Sequence, residues 1–109
     1  MGKSTAKQRI LVADDEPSIV DALGMSLRYE GFEVDEAGTG RAALAAVEEH
    51  PPDLIVLDVM LPDFDGLEVT RRLRARGVHT PILFLAARDA ITIQTAIERL
   101  RVARTSCVF

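Results

Sequence analysis

A chain of 109 residues with formal net charge −4, 48% hydrophobic and 28% charged residues has room for one domain with an ordinary core. The acidic balance argues against direct nucleic-acid binding through a broad basic surface, and the single cysteine, Cys107, excludes an intrachain disulfide framework. No apolar run approaches the roughly 18 residues of a membrane span, and the polar start from Met1 to Arg9 lacks the apolar region of a secretory signal. The expectation is a cytoplasmic protein with a disordered lead-in over residues 1–8 and one domain over 9–109.

Gly2-Lys3-Ser4-Thr5 imitates the tail of a phosphate-binding loop, but no strand and no upstream glycine precede it. Ile10 to Ala13 is a short apolar run ending in Asp14-Asp15-Glu16. Pro17 then suits the first position of a helix, and Ile19, Val20, Leu23 and Leu27 recur at helical spacing through about Tyr29, where Gly31 stops the helix. Phe32 to Ala37 alternates and reads as a half-exposed strand near a sheet edge. Gly38-Thr39-Gly40 turns the chain into an Ala-rich helix, Arg41 to about Glu49, with Leu44 and Val47 on one face and Pro51-Pro52 beyond it.

Asp53 to Asp58 with Val59 is the most apolar stretch, interrupted only by its acids, and reads as a strand buried on both faces with Asp58 at its carboxyl end. Asp63 to Gly66 is turn-like. A helix from about Leu67 to Arg76 is expected to carry Leu67, Thr70 and Leu73 inward, and Gly77 closes it. Pro81 to Ala87 is a fourth, mostly apolar strand, and Asp89 is placed to cap a last helix through about Arg104. Strands alternating with helices at this spacing imply a parallel sheet with right-handed crossovers and helices on both faces.

If the first and third strands are neighbours, Asp14, Asp15 and Asp58 reach one edge of the sheet, where open α/β folds bind their ligands. Three carboxylates in a small volume repel one another unless a cation neutralises them. All-oxygen donors favour a hard ion such as Mg²⁺, which commonly serves phosphate chemistry, and an Asp carboxylate can itself accept a phosphoryl group. The residues therefore suggest an Mg²⁺-assisted phosphoryl acceptor at Asp58; the alternative is that Asp14 and Asp58 only cap the turns that follow them.

Val12-Ala13-Asp14-Asp15-Glu16-Pro17, Leu57-Asp58-Val59-Met60-Leu61-Pro62 with Asp65-Gly66, and Pro81 to Leu85 together closely resemble the receiver domain of two-component response regulators, in the OmpR/PhoB style in which a receiver precedes a DNA-binding domain. The resemblance runs from about Arg9 to Asp89. It implies a flavodoxin-like (CheY-like) doubly wound sheet, phosphorylation of Asp58 by a sensor histidine kinase, direct Mg²⁺ ligation by Asp15, Asp58 and the Met60 carbonyl, and a role for Asp14 through water. It implies a switch that controls an output such as transcription rather than an enzyme.

Two departures stand out. Ala86 occupies the place of the family's Thr or Ser, whose hydroxyl bonds the phosphoryl group and triggers the switch. No lysine occurs after Lys7, so the family's conserved-type Lys at the end of a fifth strand has no counterpart, and residues 90–109 leave the pattern, as divergence, truncation or an altered reading frame. The expected order is thus 2-1-3-4, with the fifth strand and fifth helix missing. The apolar fourth strand, Ile82 to Leu85, then becomes an open edge suited to self-association.

Arg88 is a nearby source of positive charge, and Arg99, Arg101 and Arg104 make the tail weakly basic. His50 and His79 read as surface residues. Two competing functions remain. One is a degenerate receiver that works by dimerisation without phosphorylation. The other is a dinucleotide-binding domain using Gly38 and Gly40, since Gly38-Thr39-Gly40-Arg41-Ala42-Ala43 fits G-x-G-x-x-A with Asp58 near the position of a ribose-binding acid. The acids in its first strand and the unexplained pair Asp14-Asp15 count against that last reading.

Overall fold

The computed structural model describes residues 8–85. They form β1 (Arg9–Ala13), α1 (Pro17–Tyr29), β2 (Glu33–Ala37), α2 (Gly40–Glu49), β3 (Leu54–Asp58), α3 (Gly66–Ala75) and β4 (Ile82–Leu85). The strands make one sheet in the order β2-β1-β3-β4, and every pairing is parallel. The expected helix from Asp89 to Arg104, together with Ala86, Arg88 and Cys107, lies outside the described residues.

Alternation along the central strands divides the core between the two faces of the sheet. Ile10, Val12 and Val56 pack with Ile19, Val20, Leu23 and Leu27 of α1. Leu11, Ala13, Ile55 and Leu57 pack with Leu44 and Val47 of α2 and with Val69 and Leu73 of α3. Burying each Leu, Ile or Val side chain of this kind contributes about 1.5–3 kcal/mol, so β1 and β3 form the rigid centre from which the loops project. β2, with its three acids Glu33, Asp35 and Glu36, lies at an edge as its alternation implies. β4 pairs with β3 on one side, and among the described residues it has no second neighbour.

α1 and α3 each stop where a glycine allows it. Gly31 and Gly77 take positive φ, 99° and 81°, a region that favours glycine. After α1, the amides of Gly31 and Phe32 donate back to Arg28 and Leu27; after α3, those of Gly77 and Val78 donate to Arg74 and Leu73. Each is the paired bonding of a Schellman ending, and Phe32 and Val78 fold back into the core beside Leu27 and Leu73.

One inward assignment on α3 is overturned. Leu67 is 60% exposed, and the buried stripe runs through Gly66, Val69 and Leu73. Asp65 caps the helix by accepting from the Glu68 amide at 2.8 Å, so the helix begins at Gly66. That start turns Leu67 about 100° away from the buried stripe.

Candidate functional site

Parallel pairing of β1 with β3 sets Ala13 opposite Leu57, so the next residues, Asp14 just past β1 and Asp58 as the last residue of β3, stand at adjacent strand ends. Asp14 and Asp58 are 1% and 2% exposed, while the neighbouring Asp15 is exposed to solvent. One carboxylate oxygen from each of the three lies within 4.8 Å of the others. This brings together the three acids expected from the sequence. The Glu16 amide donates to Asp14 Oδ1 at 2.9 Å, and the Met60 amide donates to Asp58 Oδ1 at 3.1 Å. An open depression of about 250 Å³ lies beside Asp14 and Asp15, with Asp21 and Glu36 also on its wall.

The donor set fits a divalent hard cation. Oxygens arranged octahedrally about Mg²⁺ at about 2.1 Å stand roughly 3–4.2 Å apart, and the three carboxylates are already gathered on nearly that scale. Two buried like charges beside a third are stabilised by a cation and strained without one. Small shifts or bridging waters complete such a set, because Mg²⁺ retains several waters.

The loop after β3 completes this end of the molecule. Gly66 packs so closely that a Cβ there would lie 2.6 Å from the Asp58 carbonyl oxygen and 3.2 Å from the Leu57 side chain. Its amide donates to the Val59 carbonyl at 2.9 Å. Only glycine lets α3 begin this close to the acid. Met60, expected to contribute its carbonyl, lies in this loop with an exposed side chain.

Asp63 is the residue that sequence reading passes over. It belongs to a stretch that looks like a local turn, yet its carboxylate reaches the start of α2. Oδ1 accepts from the Gly40 amide at 2.7 Å and from the Phe64 amide at 2.8 Å, and Oδ2 accepts from the Arg41 amide at 2.9 Å. Desolvation pushes its carboxyl up, but the amides of Arg41, Gly40 and Phe64 outweigh it and hold it down at about 2. Its partners on α2 lie 22 and 23 residues away. No local spacing reports such a contact; the only hint is an acid, and an aromatic beside it, opposite a Gly-Thr-Gly turn.

This contact also corrects the dinucleotide reading of Gly38 and Gly40. A pyrophosphate would need the first amides of α2, and those of Gly40 and Arg41 already serve Asp63. The Phe64 ring fills the space over Gly40, where a Cβ would lie 2.7 Å from a ring carbon. Thr39 caps the helix in its own right by accepting from the Ala42 amide at 3.0 Å. His50 and His79 are exposed, away from any cluster of metal-binding groups among the described residues.

A family model, response regulator receiver domain, matches residues 10–107. Transcriptional regulatory protein TrcR of Mycobacterium tuberculosis is 49% identical over 83 residues, covering 76% of this chain and 32% of that protein. Response regulator MprA of Mycolicibacterium vanbaalenii is 47% identical over 88 residues, covering 81% of this chain and 38% of that protein. The chain thus spans about a third of the length of the curated relatives it matches. Among solved structures, chemotaxis protein CheY4 of Vibrio cholerae superposes with a TM-score of 0.71 at 31% identity, over 84% of this chain and 81% of that one. With its 2-1-3-4 parallel sheet and its acids at the ends of β1 and β3, this chain belongs to the response regulator receiver domain family.

Proposed function

We propose that this chain is a phosphoacceptor switch, in which Asp58 takes a phosphoryl group from a sensor histidine kinase and passes the change on to an output such as transcription. The observation that carries the reading is the convergence of Asp14, Asp15 and Asp58 within 4.8 Å at the carboxyl end of the central strands. Family membership and the names of the transcriptional relatives support the wider role.

Asp58 is held for this task by its position and by the Met60 amide, which fixes one carboxylate oxygen. A carboxylate oxygen of Asp58 forms the new bond to phosphorus as the bond to the phosphodonor breaks, and the donor's leaving atom departs with that electron pair. The product is an acyl phosphate on the side chain. Asp14, Asp15, Asp58 and the Met60 carbonyl are the groups that would hold Mg²⁺, which when bound neutralises charge on the transferring phosphoryl oxygens. Ala86, at the family's Thr or Ser position, brings no hydroxyl to the phosphoryl group; a hydrogen bond to a charged group is worth about 1.5–3 kcal/mol, so loading is expected to be slow.

The test is incubation of the full chain with Mg²⁺ and a small phosphodonor, read by intact mass. The expected result is an Mg²⁺-dependent gain of about 80 Da, the mass of one phosphoryl group, that is absent in Asp58→Ala. No gain in the unmutated chain would overturn this reading and favour a receiver fold that acts only as an interaction module.

A further inference from the structure

We propose that Asp63 is a positioning residue for the cation site: its carboxylate latches the β3–α3 loop to the first turn of α2 and so holds the Met60 carbonyl in place. The inference rests on the phosphoacceptor reading above. Three observations lead to it. First, Asp63 spends both carboxylate oxygens on backbone amides, two of them at the start of α2, at 2.7 and 2.9 Å. An anion at a helix N-terminus gains from both the charge-assisted bonds and the helix dipole. Second, α2 does not depend on this carboxylate for a cap, because Thr39 already supplies one to the Ala42 amide. The bonds from Asp63 are additional to those the helix needs, and what they add is a link between two loops at the acidic edge.

Third, the loop residues around Asp63 anchor with it. Leu61 is buried with the α2 and α3 side chains, the Phe64 ring lies against Gly40, and the Arg72 guanidinium stands 4.2 Å from the centre of that ring. The half of the loop from Leu61 to Asp65 is therefore fixed to α2 and α3. The other half carries Met60, whose amide reaches Asp58. A short loop fixed at its far half and at Asp58 gives the Met60 backbone little freedom. Without the carboxylate of Asp63, the hydrogen-bonded link to α2 is broken, while the Gly66–Val59 bond and the packing of Leu61 and Phe64 persist.

The experiment compares the full unmutated chain with Asp63→Ala, Asp63→Asn and Thr39→Ala. Mg²⁺ affinity is read by calorimetry and amide hydrogen exchange over residues 59–64 by mass spectrometry. Asp63→Ala is expected to weaken Mg²⁺ binding by about fivefold to tenfold, the scale of part of a charge-assisted bond, and to speed exchange over the loop. Asp63→Asn, whose amide oxygen still accepts, falls between the two, and is the variant to read should the alanine variant fail to fold. Thr39→Ala weakens the same helix end but leaves the latch, so it lowers the melting temperature without changing Mg²⁺ affinity. Unchanged Mg²⁺ affinity in the Asp63 variants, or an equal loss in Thr39→Ala, would overturn the positioning role alone. An unmutated chain that binds no Mg²⁺ would overturn the phosphoacceptor reading and this inference together.

Discussion

The acids of β2 and the acids at the ends of β1 and β3 share one sheet and have opposite surroundings. Asp35 and Glu36 lie on the edge strand, and each meets an arginine from a neighbouring element: Arg9 Nη1 stands 2.9 Å from Asp35, and Arg28 Nη2 stands 3.3 Å from Glu36. Asp14 and Asp58 are buried and, with Asp15, gather toward one another. On β2 a carboxylate is matched by a cation from the chain itself and ties an edge strand to its neighbours. At the strand ends, like charges are brought together, which a fold keeps only where something recovers the expense of their repulsion. The same kind of side chain thus ties an edge strand to its neighbours in one place and forms a candidate cation site in the other.

That contrast is most sharply broken by adding or removing charge at the strand ends. A ligand that binds only the folded state stabilises it in proportion to ln(1 + [L]/Kd), about 2.7 kcal/mol at a hundred times Kd. Saturating Mg²⁺ is accordingly expected to raise the urea midpoint of the unmutated chain. Asp58→Asn should lose most of that gain, and without Mg²⁺ it should be at least as stable as the unmutated chain, because one of three clustered charges is gone. An Mg²⁺ response retained in full by Asp58→Asn would contradict the assignment.

Next in size is Gly66→Ala. Its new methyl would meet the Asp58 carbonyl oxygen and Val59, which are backbone and yield little. Overpacking of this kind costs about 1–3 kcal/mol, and here the displaced atoms belong to the acid site, so urea unfolding and Mg²⁺ affinity should both suffer. A variant with unaltered Mg²⁺ binding would show that the start of α3 can move without disturbing Asp58.

The smallest effect belongs to β2. Arg28→Ala removes an exposed ion pair, and such pairs contribute about 0.2–1 kcal/mol. It should shift the unfolding midpoint slightly and leave Mg²⁺ affinity and phosphoryl loading as they were. A marked loss of loading in Arg28→Ala would erase the distinction between the two groups of acids.

The parts of this molecule legible in the sequence are those written in local pattern. The run Leu54 to Leu57 reads as a strand buried on both sides, Pro17 and Gly31 bracket α1, and the parallel order follows from alternation of strand and helix. Asp14, Asp15 and Asp58 are legible as a group because the pair Asp14-Asp15 and the single Asp58 each follow directly on an apolar run. Leu67 misled because an apolar residue beside the helix start fits several phases of the 3.6-residue repeat, and the phase was set by Gly66 packing against Asp58. Asp63 was illegible for another reason: an acid in a Pro-Asp-Phe-Asp-Gly stretch looks like a turn former, and its contacts with Gly40 and Arg41 exist only once the crossovers have brought α2 beside the loop. Long-range capping leaves no periodic trace.

The central claim is that Asp58 itself carries the phosphoryl group, and chemical trapping tests it most directly. After incubation with Mg²⁺ and a small phosphodonor, borohydride reduces an acyl phosphate to an alcohol, and peptide mass mapping locates the altered side chain. The account predicts reduction of Asp58 to homoserine, dependent on both phosphodonor and Mg²⁺. Reduction at Asp14, Asp15 or Asp63 with Asp58 intact, or at none of them, would contradict it.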